Sequence, residues 1–224
     1  ASRAGATGSR SLELPQNQGP LHAYLSPDEE ETRSRFLETA ERNAVRLASI
    51  IEDLLELAKL EAPGHSLERR PIRLGPLLDR IAARHRSDGD RIGSNVEVTV
   101  EANVEVVGSS SLLDQAVDNL TSNALRYGGP EGRVRISATV HPDQTTITVA
   151  DEGPGIAPRH LPRLFERFYR VDTARSRAAG GTGLGLAIVK HIALVHGGEL
   201  SVDTKVGAGS RFALTIPRAR KIDS

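Results

Sequence analysis

The amino-acid sequence predicts an α+β protein in which a helical stalk is followed by an α/β sandwich, with a mixed sheet covered by helices on one face. Two observations carry this prediction: an unbroken apolar heptad pattern within residues 28–61, and strand patterns interleaved with helix patterns after Pro71. The 224 residues are 38% hydrophobic and 26% charged, which is ordinary for one or two folded domains.

The composition excludes several classes of function. The 29 Lys and Arg residues balance 29 Asp and Glu residues, which argues against a protein that coats nucleic acid or an anionic membrane. The chain has no Cys, so it forms no disulfide framework or Cys-ligated zinc site and has no thiolate nucleophile. No apolar run reaches the roughly 18 residues that a membrane-spanning helix needs. Because the chain also lacks Met, with which a reading frame begins, the sequence predicts a fragment of a longer protein.

The first part of the chain is predicted to be a linker (residues 1–27) and a long helix (residues 28–63). The acidic start of the helix suits the positive end of its dipole. Its apolar residues follow one another at gaps of three and four: Leu37, Ala40, Ala44, Leu47, Ile51, Leu54 and Ala58. This heptad seam is typical of a helix in a dimeric bundle, with Phe36, Ile50 and Leu57 widening the stripe toward a second helix. A single helix facing the core of one domain is the alternative.

Residues 71–224 are predicted to form a second domain with one sheet covered by helices. Helical patterns are found over residues 74–81, 112–127, 160–169 and 184–196. Strand patterns are found over residues 96–102, 104–107, 134–140, 145–150, 199–203 and 211–216.

The predicted helix over residues 112–127 carries the first chemical motif. Asn119 and Asn123 are four residues apart and so share one helix face, with Arg126 and Tyr127 at the helix end. Amide oxygens are hard donors suited to Mg²⁺, a guanidinium group suits phosphate, and a tyrosine ring can lie against a base. Taken alone, such a pair of asparagines is more often a pair of caps or of surface hydrogen bonds.

The second motif, Asp151-Glu152-Gly153-Pro154-Gly155-Ile156, directly follows a predicted strand. The carboxylate of Asp151 can accept a hydrogen bond from an exocyclic amino group such as adenine N6. The two glycines let the backbone pass close to a planar ring. By itself this pattern is a common turn.

Two further motifs follow in the chain. The first is Leu164-Phe165-Glu166-Arg167-Phe168-Tyr169-Arg170, with a small and basic run after it. The second is Gly180-Gly181-Thr182-Gly183-Leu184-Gly185-Leu186, which opens into an apolar helix and offers backbone N–H groups to phosphate oxygens. Its spacing differs from the dinucleotide-binding pattern, and a glycine hinge is the alternative interpretation.

Together and in this order, the four motifs resemble the N, G1, F and G2 boxes of the catalytic ATP-binding domain of bacterial sensor histidine kinases, which has a Bergerat-type fold. The later run Gly207-Ala208-Gly209-Ser210-Arg211-Phe212 resembles the last glycine box of that domain. The heptad helix is similar to the second helix of the family's dimerisation and phosphotransfer domain. The resemblance implies ATP and Mg²⁺ as cofactors, a homodimer through the heptad helix, and the receiver domain of a response regulator as partner. It also implies a cytoplasmic fragment of a membrane-anchored bacterial parent.

The resemblance implies a role for each matching position. Asn123 would chelate Mg²⁺, with Asn119 supporting the metal or its water, and Asp151 would read adenine. Arg167 and Arg170 would join Asn119 as catalytic residues, one of the two arginines touching phosphate together with Arg126. The other residues expected to contact the nucleotide are Tyr127, Gly153, Gly155, Ile156, Tyr169, Thr182, Gly183, Leu184, Gly185 and Leu186, the glycine-rich run forming part of a mobile lid.

The resemblance also bears on the choice between a kinase and a hydrolase. Related gyrase-like and chaperone-like ATPases carry a Glu four residues before the metal-binding Asn, where it activates water. Here that position is Asn119, whose amide has no basic lone pair to take a proton. Transfer to a nucleophile other than water is therefore favoured.

The sequence departs from the family at the phosphoacceptor. The family's acceptor histidine stands in a box of the type S-H-E-L-R-T-P, and the most similar run here, Ser11-Leu12-Glu13-Leu14-Pro15, has Leu12 in its place. His22 lies ten positions later without an acidic neighbour. Residues 1–27 are thus either the remnant of a first bundle helix or part of a degenerate kinase, an ATP-binding pseudokinase. A serine kinase that acts on an anti-sigma-factor antagonist shares the fold but lacks the long helix.

The zero net charge conceals two local patches of opposite sign. Residues 28–61 carry ten acids and five bases, whereas residues 159–177 carry six arginines and two acids. The sequence therefore predicts an acidic stalk and a basic edge beside the glycine-rich run.

Overall fold

A computed structural model describes residues 27–62, 68–91, 93–101, 103–129, 132–171 and 181–218 of the chain. The chain divides into two compact units, residues 1–44 and residues 45–224. The described helices are α1 (Pro27–Glu61), α2 (Leu74–Arg91), α3 (Ser110–Gly128) and α4 (Gly185–Val195). The described strands are β1 (Arg70–Arg73), β2 (Asn95–Val100), β3 (Glu105–Gly108), β4 (Arg133–Val140), β5 (Gln144–Asp151), β6 (Glu199–Thr204) and β7 (Ser210–Pro217).

The predicted elements are confirmed with three exceptions. Helix α2 continues beyond its predicted end at Ile81 to Arg91. Strand β1 was not predicted, because it has four residues of which Ile72 alone is buried, so it shows no alternation. The third exception is the segment predicted as a helix over residues 160–169. Leu12, His22 and all of the predicted linker before Pro27 lie outside the described residues. None of the described helices has a stretch both long and apolar enough to span a membrane.

The segment predicted as a helix over residues 160–169 forms only a short 3-10 helix, Pro158–Arg163, followed by turns. Pro162 lies inside it and has no backbone N–H to donate to an α-helix. Phe168 has a φ of 61°, a left-handed conformation that no α-helix contains. Its N–H donates instead to the carbonyl of Gly183, 2.9 Å away. This segment therefore turns toward the start of α4.

Helix α1 presents an exposed apolar seam. In the first unit, Phe36 and Leu37 are 72% and 56% exposed. From Val45 onward α1 belongs to the second unit. There the seam residues also remain exposed: Leu47, Ile51 and Leu54.

A second face of α1 packs into the core of the second unit. Leu57 and Leu60 are 1% and 5% exposed in that core, and Ile50 packs against it. Because a helix turns about 100° per residue, these three residues share a face beside the seam rather than on it. The expectation that Ile50 and Leu57 widen the seam toward a second helix is therefore wrong. They hold the end of α1 against the rest of the unit.

The second unit is built on a five-stranded mixed sheet with the strand order β2-β4-β5-β7-β6. Strands β2 and β4 are parallel, and the other neighbouring pairs are antiparallel. Strands β1 and β3 form a separate antiparallel pair, with Ile72 opposite Val106. In the main sheet Asp151 at the end of β5 lies between Val134 of β4 and Ser210 of β7.

The helices cover one face of the main sheet, as the sequence predicts. Alternate residues of the central strands are buried with α3 and α4 in one core, including Val134, Ile136, Ile147, Val149, Leu214 and Ile216. The opposite face is polar, and across it the hydroxyls of Thr146 and Thr215 lie 3.3 Å apart. This alternation is what a sheet with one buried face requires.

Helix α3 is fixed on α2 by a network of ion pairs. Arg84 contacts both Asp114 at 2.6 Å and Asp118 at 2.8 Å, and Arg80 and His85 add one contact each. Burial acts to raise the pKa of both carboxyls, but the hydrogen bonds from Arg84, Arg80 and His85 outweigh it and lower the pKa of Asp114 and Asp118. The network holds α3 in place next to the site described below.

His196 joins the end of α4 to the start of α3. Its Nδ1 lies 2.7 Å from the carbonyl oxygen of Ile192, and its Nε2 accepts the N–H of Ser109 at 3.1 Å. The acceptor role of Nε2 places the proton of the neutral ring on Nδ1. Burial lowers the pKa of His196, with the charge of Arg69 acting in the same direction.

Candidate functional site

A cavity of about 480 Å³ opens at the end of α3 and the start of α4. This volume falls within the roughly 300–1,000 Å³ of typical small-molecule sites. Most of the residues predicted to form a site line it: Asn119, Asn123, Arg126, Tyr127, Asp151, Gly155, Ile156, Tyr169, Arg170, Thr182, Gly183, Gly185 and Leu186. The four motifs, which are spread over some 70 residues of sequence, thus meet at one place.

One wall of the cavity is the solvent-facing side of α3. Leu120, Thr121 and Ala124 on the other side of this helix are buried in the core. The helix period therefore directs Asn119 and Asn123 into the cavity, one turn apart. Their amide oxygens are hard donors, so this wall could hold a divalent cation.

Asp151 at the end of β5 forms a second wall and is fixed by backbone groups. Its Oδ1 accepts the N–H of Gly153 at 2.9 Å. Burial raises the pKa of Asp151, and the N–H donors of Gly153 and Ser210 act against it. A half-buried carboxylate at a cavity wall can accept a hydrogen bond from the polar edge of a ligand.

Close backbone contacts hold the turn around Asp151. A Cβ atom on Gly153 would lie 2.6 Å from the carbonyl oxygen of Tyr127, and one on Gly209 would lie 2.0 Å from the carbonyl oxygen of Asp151. Gly155 has a φ of 67°, and a Cβ atom on it would lie 2.1 Å from the carbonyl oxygen of Lys205. No larger residue fits these positions without movement of the backbone.

A third wall comes from the segment after the 3-10 helix. The Tyr169 hydroxyl lies 2.7 Å from Nδ1 of His160, whose Nε2 accepts a hydrogen bond from Arg159. Nδ1 therefore carries the ring proton and donates a hydrogen bond to the Tyr169 hydroxyl. The guanidinium carbon of Arg163 lies 4.5 Å from the Tyr169 ring centre, a cation–π distance. Tyr169 and the adjacent Arg170 both line the cavity.

The glycine-rich run leads into α4 and closes the cavity. The Thr182 hydroxyl accepts the N–H of Leu184 at 3.2 Å and donates to Asp53 Oδ2 at 2.8 Å. Gly183 has a φ of 78°, and a Cβ atom there would lie 3.0 Å from the backbone of Phe168. Thr182 and Gly183 thus hold the start of α4 against two neighbouring segments.

Glycines also bring this run close to α3. A Cβ atom on Gly185 would lie 3.2 Å from Asn119 Oδ1, and one on Gly181 would lie 2.9 Å from Nη1 of Arg126. The amide wall and the start of α4 are therefore adjacent. A helix start beside a guanidinium group is a favourable place for an anion.

Three of the predicted site residues lie outside the cavity lining. Arg167 pairs with Glu61 of α1, which also contacts Nε2 of His191 at 3.0 Å. The side chain of Leu184 is completely buried in the core. Gly153 packs on the end of α3, as described above. Of the two arginines expected near phosphate, Arg170 is the one at the cavity.

The sequence did not predict several residues of the lining: Ser49, Asp53, Ser122, Pro154, Leu164, Val171, Gly181, Ser210 and Phe212. Ser210 and Phe212 belong to the last glycine box, so the resemblance contained a signal for them. Ser49 and Asp53 belong to α1, where the heptad pattern indicates nothing about a cavity. Burial raises the pKa of Asp53, with the charge of Glu52 acting in the same direction and the hydrogen bond from Thr182 against it.

Comparison with known families agrees with the fold and the site. Residues 108–220, about half of the chain, match the family described as histidine kinase-, DNA gyrase B- and HSP90-like ATPases. The chain belongs to this family. It therefore carries an ATP-binding domain, and the predicted resemblance to the catalytic domain of bacterial sensor histidine kinases is confirmed.

Individual relatives agree with this. The chain is 39% identical to the sensor-like histidine kinase SenX3 of Mycobacterium tuberculosis, over 86% of this chain and 47% of that protein. It is 39% identical to the phosphate regulon sensor protein PhoR of Pseudomonas aeruginosa, over 80% of this chain and 40% of that protein. A crystal structure of full-length ShkA in complex with AMPPNP superposes with a TM-score of 0.70 and 27% identity, over 87% of this chain and 40% of that one. The chain spans about half the length or less of these relatives.

Proposed function

We propose that the chain is the cytoplasmic catalytic part of a membrane-anchored bacterial sensor histidine kinase. It binds Mg–ATP and transfers the γ-phosphate to a histidine, from which the phosphate passes to the receiver domain of a response regulator. Residues 28–63 would form its dimerisation helix and residues 71–224 its catalytic domain. The observation that carries the proposal is the meeting of four separate motifs at one cavity of suitable volume.

The wall around Asp151 would bind the adenine ring. The Asp151 carboxylate would accept the exocyclic amino group of adenine. Ile156, Leu164 and Phe212 offer apolar surface for the faces of the ring. The turn around Asp151 is fixed by backbone contacts, so this end would be formed before the ligand arrives.

The start of α4 would bind the phosphates. Backbone N–H groups at a helix start and the guanidinium groups of Arg126 and Arg170 complement a polyanion. Arg170 lines the cavity and Arg167 does not, so Arg170 is the better candidate for the phosphate contact. Tyr127, 39% exposed at the cavity, would pack on the nucleotide.

Asn123 would hold Mg²⁺, with Asn119 supporting the ion or its water. No group of three or more acidic or His side chains in the described part of the chain forms a metal cluster. Two amides beside a phosphate site still fit Mg²⁺, because this ion normally takes its other ligands from phosphate oxygens and water. When bound, Mg²⁺ would neutralise charge on the phosphates.

The chemical step requires position and charge neutralisation more than a base. A nitrogen of a neutral imidazole attacks the γ-phosphorus with its own lone pair, and the bond from phosphorus to the bridging oxygen breaks to release ADP. Water would need a base to take its proton, and Asn119 at the corresponding position is an amide. These residues therefore favour transfer to histidine over hydrolysis.

The exposed seam of α1 would form the dimer contact. Leu47, Ile51 and Leu54 repeat at heptad spacing and remain exposed while a neighbouring face of α1 packs in the core. Exposed apolar residues in such a register are typical of a partner helix. A second copy of α1 is the proposed partner.

Binding and transfer are tested in two steps. Calorimetric titration of the full chain with Mg–ATP should give saturable binding that Asn123→Ala weakens at least about tenfold, while Asn95→Ala on exposed β2 leaves it unchanged. Labelled ATP and a separate dimerisation domain that carries the acceptor histidine should then give an acid-labile, base-stable phosphoprotein. Absence of nucleotide binding would refute the proposal as a whole.

An ATP-binding pseudokinase is the second candidate, because Leu12 stands where the family has its acceptor. Such a protein would bind ATP with the same dependence on Asn123 but would label no acceptor domain. The labelling step therefore separates the two candidates.

A further inference from the structure

Asp53 of α1 brings a negative charge to the cavity. It lines the cavity together with Thr182, Gly183 and Gly185, and its Oδ2 accepts the Thr182 hydroxyl at 2.8 Å. The same hydroxyl accepts the N–H of Leu184 at the start of α4. A carboxylate oxygen therefore lies at the helix start that suits a bound anion.

The packing of α1 fixes the position of Asp53. One turn further along, Leu57 is buried in the core, and Glu56 accepts a hydrogen bond from Gln115 of α3. At the end of α1, Glu61 pairs with Arg167 and His191. Asp53 thus belongs to a series of contacts along one face of α1, all within the second unit.

The surroundings of Asp53 are energetically unfavourable for a charged carboxylate. Burial raises the pKa of Asp53, so the charged form is disfavoured by its surroundings. A phosphate group at the start of α4 would add a second negative charge close by, and like charges at short range in a partly buried site repel strongly. The carboxylate and a phosphate oxygen therefore compete for one hydroxyl donor.

We propose that the Asp53 carboxylate competes with phosphate at the nucleotide site: it accepts the Thr182 hydroxyl in the free chain, and a phosphate oxygen takes its place when nucleotide binds. The inference rests on the proposed function, since it requires that phosphates bind at the start of α4. Nucleotide binding then breaks a contact between α1 and the glycine-rich run. Because coupling between two sites is reciprocal, the Asp53 contact weakens nucleotide binding as much as nucleotide weakens the contact.

Two other roles of Asp53 predict different effects on nucleotide affinity. If the carboxylate served to hold Thr182 ready for phosphate, its removal would weaken nucleotide binding. If it served only to hold α1, its removal would lower stability and leave the affinity unchanged. The sign of the change in affinity therefore distinguishes the three roles.

The first test compares Asp53→Asn with Glu52→Gln in the full chain, by calorimetric titration with AMPPNP and Mg²⁺. Asparagine keeps an oxygen that can accept the Thr182 hydroxyl and removes the charge. We expect Asp53→Asn to bind at least about fivefold more tightly than the wild type, at the lower end of typical coupling factors. Glu52→Gln removes the same charge from an exposed neighbour and should change the affinity less than about twofold. Equal affinities of the two variants, or weaker binding by Asp53→Asn, would overturn the proposal.

A second test changes the charge at position 53 by chemical modification, so that the two forms compared have the same sequence. The chain has no Cys, so Asp53→Cys supplies a single thiol. Iodoacetate leaves a carboxylate on that thiol, and iodoacetamide leaves an uncharged amide of the same length. We expect the amide form to bind AMPPNP with Mg²⁺ at least about fivefold more tightly than the carboxylate form. The same pair of products at Glu52→Cys should bind alike, and no difference at position 53 would contradict the proposal.

Failure of this inference and failure of the proposed function give different results. A wild-type chain that binds no nucleotide refutes the function. A chain that binds nucleotide in an Asn123-dependent manner but with no effect of charge at position 53 refutes the role of Asp53 alone.

Discussion

The two ends of the cavity are held in different ways. Around Asp151, the turn is fixed by backbone, and three glycines approach carbonyl oxygens so closely that a Cβ atom would lie within 2.6 Å of them. At the start of α4, one backbone hydrogen bond joins the Phe168 N–H to the carbonyl of Gly183, and side-chain hydrogen bonds run from Thr182 to Asp53 and from the Leu184 N–H to Thr182. The backbone contacts around Asp151 do not rearrange without a change of fold. The side-chain hydrogen bonds at the start of α4 can be exchanged for hydrogen bonds to a ligand atom.

This difference indicates that the two ends of the cavity suit different parts of a ligand. A rigid end suits recognition of a flat ring, because a preformed surface loses little entropy on binding. An exchangeable end suits phosphates, which must be admitted, held and released as the reaction proceeds. Three substitutions and one change of pH test whether the two ends differ in this way.

The largest effect is expected from Gly209→Ala at the rigid end. Gly209 has a φ of 85°, and a Cβ atom would lie 2.0 Å from the carbonyl oxygen of Asp151. The left-handed backbone and the clash together should lower the free energy of unfolding by about 3 kcal/mol or more. Gly207→Ala is the matched control, since Gly207 has a φ of 81° with nothing within 4 Å. Urea titrations of the two variants measure the losses, and Gly207→Ala should lower the free energy of unfolding by only about 1 kcal/mol. Equal losses for the two variants would show that the rigid end tolerates movement.

Asp151→Asn should weaken the binding of Mg–ATP about tenfold to a hundredfold. A hydrogen bond to a charged acceptor contributes about 1.5–3 kcal/mol, and the amide provides a weaker, neutral acceptor. Since burial disfavours the charge of Asp151, the substitution should cost little stability. Glu152→Gln, at the exposed neighbour, should bind like the wild type. If both variants bind alike in a calorimetric titration, the adenine ring does not contact Asp151.

Thr182→Val should have a smaller effect at the exchangeable end. The substitution removes the hydroxyl that Asp53 and the Leu184 N–H share and keeps the branched shape. Loss of a phosphate donor and release of Asp53 act in opposite directions on affinity, so we expect a change of less than about tenfold. The thermal midpoint should fall slightly, because the Leu184 N–H loses its acceptor. A loss as large as that of Asp151→Asn would show that both ends are equally fixed.

The smallest of the four effects is expected from acidification, which lowers the stability of the fold through His196 at the far end of α4. Its pKa is lowered in the folded chain from an unfolded value of 6.5, so the unfolded chain binds more protons. The stabilising contribution of the neutral ring is therefore complete above about pH 6.5 and is lost as the pH falls toward the lower pKa of the folded state. Urea titrations at about pH 7.5 and about pH 5.5 should show a loss that His196→Gln reduces and His141→Gln, at an exposed site, does not. A loss unaffected by His196→Gln would assign the acid sensitivity to other groups.

The sequence predicted the parts of the molecule that depend on local spacing. The period of α3 directs Asn119 and Asn123 to one face, and the strand before Asp151 ends where the turn residues begin. These features need only the geometry of one helix or one strand.

What the sequence missed depends on contacts between distant segments. The heptad pattern identifies the apolar positions of α1 but not the neighbour of each face. The sequence therefore did not predict that Leu57 lies in the core or that Asp53 lines the cavity. The segment over residues 160–169 has helical composition, yet Phe168 gives its N–H to Gly183 instead. Strand β1 is defined only by its pairing with β3. In each case the deciding partner is remote in sequence.

A structure of the full chain with AMPPNP and Mg²⁺ would test both the nucleotide site and the role of Asp53. We expect the adenine amino group at the Asp151 carboxylate, phosphate oxygens at the Thr182 hydroxyl and the start of α4, and the Asp53 carboxylate displaced from Thr182. The turn around Asp151 should be unchanged. A nucleotide bound elsewhere, or bound phosphates with the contact between Asp53 and Thr182 intact, would contradict these expectations.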